Sequence, residues 1–173
     1  MGRIIRILLS PAICGALLAC SRARSSSSLD AAQIRAKLDA IPLDQKVSLT
    51  NKEWQVIMVP LQFYVMRLAG TEAPSFNGNA PGHRNGVYVC SACGNPLYRA
   101  DTKFDSGTGW PSFWQPIRAD AVHENNVVSA VFGREISCAR CGSHLGHVFK
   151  DGPPPTGLRY CMNGVALTFH EED

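Results

Sequence analysis

The sequence predicts a mainly β domain, an antiparallel β body that follows two or three short helices. Two observations carry this. Residues 87–89, 127–132, 135–137 and 159–169 are rich in β-branched and aromatic residues and read as strands, with Asn125-Asn126 and Gly133 as turns between some of them. Helix signals are confined to the segment before residue 71. At 173 residues, 45% hydrophobic and 18% charged, the chain is one globular domain with a short appendage. That composition excludes wholesale disorder and collagen-like or coiled-coil architecture.

The helices are justified by their ends. Asp30 is the N-cap of a short helix running to about residue 40, which Pro42 terminates. Thr50 and Glu53 form a capping box ahead of the apolar positions Trp54, Ile57 and Met58. Pro60 serves as the first residue of the next helix and Gly70 as its left-handed stop. These helices have an apolar face to bury and serve as packing or lid elements.

The formal charge of +3 belongs to the leader. The first 29 residues hold Arg3, Arg6, Arg22 and Arg24 and no acid, which leaves thirteen basic against fourteen acidic residues in the body. No basic nucleic-acid footprint results, and no nucleic-acid partner is expected. Residues 1–19 read as a signal peptide of lipoprotein type. Its apolar run, residues 7–19, is thirteen residues long, too short for a helix to cross a ~30 Å hydrocarbon core. Leu17-Leu18-Ala19-Cys20 resembles the bacterial lipobox, whose Cys is acylated. Residues 20–48 are expected as tether and short helix. The expected location is the bacterial cell envelope, lipid-anchored through Cys20 and facing the periplasm. The alternative is a mitochondrial or plastid transit peptide.

The seven cysteines, at 14, 20, 90, 93, 138, 141 and 161, cannot all pair within one chain. Cys90-Ser91-Ala92-Cys93-Gly94 and Cys138-Ala139-Arg140-Cys141-Gly142 are matching knuckles, each presenting two thiolates on a tight turn. Together Cys90, Cys93, Cys138 and Cys141 supply four soft ligands for one structural Zn²⁺ with no open position. The competing readings are two redox pairs or two disulfides, or His144 as a substitute ligand.

Cys161 is then the body's lone cysteine. In a strand, Arg159, Cys161 and Asn163 share one face, and the neighbouring cation favours the reactive thiolate. The competing reading is an inert core cysteine. His144 and His147, with Asp151 four residues on, have the composition of a proton-donating cluster, although each is equally readable as structural. Trp110, on a loop just after Gly107 and Gly109, is the better pocket wall, whereas Phe113 and Trp114 read as core aromatics.

These motifs together resemble the B-type methionine sulfoxide reductases, which reduce the R epimer. The resemblance covers about residues 50–170 and rests on T-N-K-E-W, Gly70-Thr71-Glu72, both knuckles, S-G-T-G-W-P-S-F, H-L-G-H-V-F-K-D-G-P and T-G-L-R-Y-C-M-N. It implies a β-tent of two antiparallel sheets with short N-terminal helices, and a reductase domain over residues 49–173. It implies Cys161 as nucleophile, with Trp110, His144, His147, Asp151, Arg159 and Asn163 lining the pocket and the four knuckle cysteines on zinc. The implied partners are oxidised proteins carrying methionine sulfoxide and a thioredoxin-like or other thiol reductant, with the protein a monomer. Many members of that family carry a resolving Cys where this chain has Thr108, so an external thiol is expected to reduce the Cys161 sulfenic acid directly. The alternatives are a non-catalytic zinc-binding interaction module on a similar scaffold and, more weakly, a cysteine hydrolase.

Overall fold

The computed structural model describes residues 30–75, 85–129 and 133–172. The leader, Cys14, Cys20 and the strand expectation at 130–132 lie outside the described residues.

Three helices come first. In α1 (Ala31–Asp39) the Asp30 side chain accepts from the Ala32 amide. In α2 (Asn51–Ile57) Thr50 and Glu53 cap each other's backbone amides reciprocally. α3 (Pro60–Leu68) starts on its proline. Its stop differs from expectation. Ala69 takes the left-handed conformation, at φ 53°, while Gly70 lies against the Tyr64 ring, where an added Cβ would come within 2.3 Å and push the ring aside.

Nine strands follow: β1 (Gly86–Cys90), β2 (Pro96–Arg99), β3 (Lys103–Phe104), β4 (Ser112–Phe113), β5 (Val122–Ser129), β6 (Gly133–Cys138), β7 (His144–Phe149), β8 (Arg159–Met162) and β9 (Leu167–Glu171). They form two sheets, β2-β1-β9 and β3-β4-β8-β7-β6-β5, with antiparallel neighbours. Two local expectations are corrected. Asn125-Asn126 is no turn. β5 runs through it, and the surplus residues are absorbed by a register irregularity between Glu124 and Val128. The run 159–169 is not one strand. The chain leaves the larger sheet after Met162, makes a 3₁₀ turn at Gly164–Ala166 and joins the smaller sheet as β9.

The core joins the sheets through aromatics. Phe113 of β4 stacks on Tyr98 of β2 at 4.4 Å, and Tyr88 of β1 meets Phe113 edge-on at 5.1 Å. The buried Tyr98 hydroxyl is satisfied by the Met162 sulfur at 3.2 Å. Truncating such a ring costs about 3–5 kcal/mol. Trp114, expected in this core, is only half-buried.

Residues 30–48 pack rather than dangle. Ile34, Leu38 and Val47 are buried in the same core cluster as the sheets. Residues 41–47 also strap across the second knuckle. Arg140 donates there to the carbonyls of Ile41, Pro42 and Gln45, and to that of Cys93 in the first knuckle. No helix among the described residues is long and apolar enough to cross a membrane.

Candidate active site and metal centre

The two knuckles meet although 44 residues separate them in sequence. Each turn is closed by its own backbone: the Gly94 amide donates to Cys90 O and the Gly142 amide to Cys138 O. Both glycines have positive φ, 75° and 68°, with open space where a Cβ would sit, so the demand is conformational. The sulfurs of Cys90, Cys93, Cys138 and Cys141 lie within 4.8 Å of one another, all buried. Cys90 and Cys141 are 3.8 Å apart and Cys93 and Cys138 are 3.7 Å apart. Four ligands at ~2.3 Å from a central ion define a tetrahedron with an edge of ~3.8 Å. The four sulfurs are therefore set to hold a metal ion, and the Asn95 amide and Ser143 hydroxyl lie against them.

The second site lies on the inner strands of the larger sheet. Burial along β8 alternates: Tyr160 and Met162 enter the core, while Arg159 and Cys161 face outward, half-buried. Register then sets the neighbours. Cys161 is directly opposite His147 on β7 and Ser112 on β4, and His147 is directly opposite Glu135 on β6. Carboxylate, imidazole, thiol and hydroxyl thus form one row across four strands. Gly146 allows the close strand approach, since a Cβ there would lie 2.2 Å from Cys161 O.

A hydroxyl cluster lies beside the thiol. Ser106 Oγ is 2.8 Å from both Thr108 Oγ1 and Ser112 Oγ, and Thr108 Oγ1 is 4.0 Å from Cys161 Sγ. Burial pushes the Cys161 thiol above its ordinary value, while the Arg159 charge and the Thr108 and Ser112 hydroxyls pull the other way. Arg159 favours the thiolate as expected, but desolvation outweighs it. Burial, and then His144, hold His147 below the ordinary imidazole value, with Glu135 opposing.

His144 and His147 come together, their rings 5.2 Å apart. Three-residue spacing in a regular strand would separate their faces. A register irregularity between Ile136 and Ser137 opposite β7 removes that separation. Asp151 does not join them. It makes a bidentate ion pair with Arg159, at 2.9 and 2.8 Å, because the end of β7 lies against Arg159 in register. The carboxylate beside the histidines is Glu135, whose Oε1 is 2.8 Å from His144 Nδ1. Arg159 also lies over the Phe149 ring at 4.3 Å, so both neighbours fix its guanidinium.

Asn163 lies past the end of β8, 3% exposed, and its amide is committed on both sides. It accepts from the Glu72 backbone amide and donates to Leu145 O. The Glu72 carboxylate caps the amides of Gly164 and Val165, and Glu72 O accepts from Trp110 Nε1 at 3.2 Å. Asn163 and Glu72 therefore fasten the chain crossing between sheets to the Trp110 loop. Sequence reasoning missed Glu135 and the role of Glu72. Only a strand register could have found the first, and the motif Gly70-Thr71-Glu72 marked the second without its partner. A cleft of about 630 Å³ opens elsewhere, against the knuckles and the strap, lined in part by Lys46, Arg118 and Arg140.

Comparison with known proteins places these features in a group. A family model described as the SelR domain matches residues 58–171. A peptide methionine sulfoxide reductase MsrB of Methanosarcina barkeri is 50% identical over 129 residues, covering 73% of this chain and 90% of the relative. Proteins of the same description from Thiobacillus denitrificans and Pseudomonas putida are each 48% identical. They cover 72% and 75% of this chain, and 95% and 98% of their own lengths.

Proposed function

The chain belongs to the SelR domain family, and from that premise we propose that it is a peptide-methionine (R)-S-oxide reductase, an oxidoreductase acting on methionine sulfoxide in proteins. The observation that carries the reading is the row His147–Cys161–Ser112, which sets a lone, half-buried thiol between a titratable ring and a hydroxyl. The Cys161 thiolate attacks the sulfoxide sulfur. Oxygen passes to Cys161, and one proton is taken up. Thiolate, sulfoxide and proton become Cys161 sulfenic acid and methionine. His147, opposite the thiol, is the proton donor. Trp110 walls the methyl-sulfur end of the pocket. Arg159, held by Asp151, faces the same side as the thiol, and Asn163 holds the pocket floor in place through Glu72 and Leu145.

The other four cysteines among the described residues are the clustered knuckle ligands, and Thr108 Oγ1 stands 4.0 Å from the thiol. An external thiol, thioredoxin-like or otherwise, therefore reduces the sulfenic acid. A first thiol forms a mixed disulfide with loss of water, and a second releases Cys161. The knuckle metal is one structural Zn²⁺. Four buried thiolates at tetrahedral spacing suit that ion, and four protein ligands leave no position for substrate. We further propose that the protein is anchored by lipid at Cys20 in a bacterial envelope, on the strength of Leu17-Leu18-Ala19-Cys20. Palmitate labelling of the wild type and of Cys20→Ser tests the anchor. An unlabelled wild type would point to an organellar leader instead.

The function is tested by turnover on separated R and S epimers with dithiothreitol and with thioredoxin. The wild type should reduce the R epimer with either reductant, and Cys161→Ser neither epimer. Activity in Cys161→Ser, or preference for the S epimer, sinks the reading.

A further inference from the structure

We propose that Glu135 is a positioning residue of this reaction: from its place beside His144 and directly across from His147, its charge sustains the imidazolium that gives a proton to the sulfoxide oxygen. The inference rests on the reductase reading. Attack by the thiolate requires one proton per sulfoxide, and the hydroxyls beside Cys161 cannot release one at neutral pH. His147 is the titratable neighbour placed directly across from the thiol.

The cations on the elements around His147 each have partners of their own. On β8, Arg159 is held by Asp151. On β6, Arg134 pairs with Glu124 of β5, which also accepts from Tyr160. From α3, Arg67 donates to Cys141 O and Ser143 Oγ. On β7 itself, His144 places Nδ1 against Glu135 and leaves Nε2 buried with no hydrogen-bond partner among the described residues. That bond assigns the Nδ1–H tautomer to His144, so in its neutral form it has no proton to give from Nε2. Glu135 accepts from His144 and from Asn125, neither a permanent cation, and the His144 bond first of all holds its carboxyl below the ordinary range. It is therefore an anion throughout the neutral range, facing the proton donor across one strand spacing.

The consequence is kinetic. With His147 below the usual imidazole value and Cys161 above the usual thiol value, the reactive pair of imidazolium and thiolate is a minor population at every pH. Its fraction is constant between the two values. It falls at lower pH as thiolate is lost and at higher pH as imidazolium is lost. The pH profile of kcat/KM is thus a flat-topped bell whose acidic edge reports His147 and whose basic edge reports Cys161. Each unit lost from His147 lowers the plateau about tenfold, because one pKa unit is a tenfold change in protonated fraction.

Glu135→Gln keeps an oxygen for His144 and removes the charge. It should move the acidic edge down by about one pH unit and lower the plateau about tenfold, the two changes matching. Glu135→Asp, which restores the charge, should bring the edge back. The His147 titration followed by NMR in the metal-loaded reduced protein should shift by the same amount, without turnover. A plateau loss with an unmoved edge and an unmoved His147 titration would mean a structural role only and would overturn the proposal. A wild type inactive on R sulfoxide would overturn the reductase reading instead, and the NMR shift would then still report the charge coupling.

Discussion

Two regions of this protein use the same side chain in opposite ways. At the knuckles, four cysteines are buried, their sulfurs 3.7 and 3.8 Å apart in two pairs. On β8, one cysteine is half-exposed, with a hydroxyl, an imidazole and a guanidinium as neighbours and, among the described residues, no second cysteine beside it. The knuckles lie on turns, where a positive-φ glycine lets the backbone close behind the sulfur. Cys161 lies in mid-strand, where register decides what stands opposite. Thiol chemistry is thus set by the number and kind of neighbours, and turns and strands supply neighbours by different rules.

The largest effect should come from breaking the knuckles. Cys138→Ser leaves three thiolates, and a structural metal that contributes folding free energy is lost or weakened. The melting temperature should fall by more than about 10 °C, with metal stoichiometry falling in parallel. Calorimetry with metal analysis checks this. A variant retaining both would show the cluster to be packing rather than a metal centre.

An intermediate effect should come from making the lone thiol less lonely. Thr108→Cys places a second sulfur where Thr108 Oγ1 now stands, 4.0 Å from Cys161 Sγ. After one equivalent of sulfoxide, mass spectrometry should find a 108–161 disulfide, and thioredoxin-supported turnover should rise by about tenfold. Persistent sulfenic acid in that variant would show the loop to be out of reach.

The smallest effect touches neither region and supplies a baseline. Capping at Thr50 and the ion pair with Lys37 hold the Glu53 carboxyl down to about 2. A depressed acid stabilises the fold above its ordinary range and loses that contribution as pH falls toward 2. Glu53→Gln should melt about 1–3 °C below the wild type at neutral pH, a small difference because the group faces water, and the two should converge near pH 2. A difference unchanged in acid would mean that charge plays no part in the cap.

The same division explains what was legible in the sequence. Asp30, Thr50 with Glu53, Pro60 and both knuckles act on residues within four positions, and each formed as read. β7 was not read as a strand, because Gly146 and two histidines obscure its alternation. Asp151 was read with the histidines on spacing alone, but register hands it to Arg159. Glu135 carries no local mark at all. Its meaning arises only when β6 lies beside β7. The bulges that place His144 with His147 and carry β5 through Asn125 are likewise products of pairing.

The strap over the second knuckle has a consequence for the order in which the protein can be completed. Lys46 and Arg140 join residues 41–46 to residues 139 and 140, partners 93 to 99 positions apart. A chain emerging from its amino end presents the strap long before its partners exist. Contacts of such separation form late, since loop closure must precede them. The strap, residues 41–46, therefore remains unfinished during synthesis until residues 139 and 140 have appeared. A segment made early is among the last to settle.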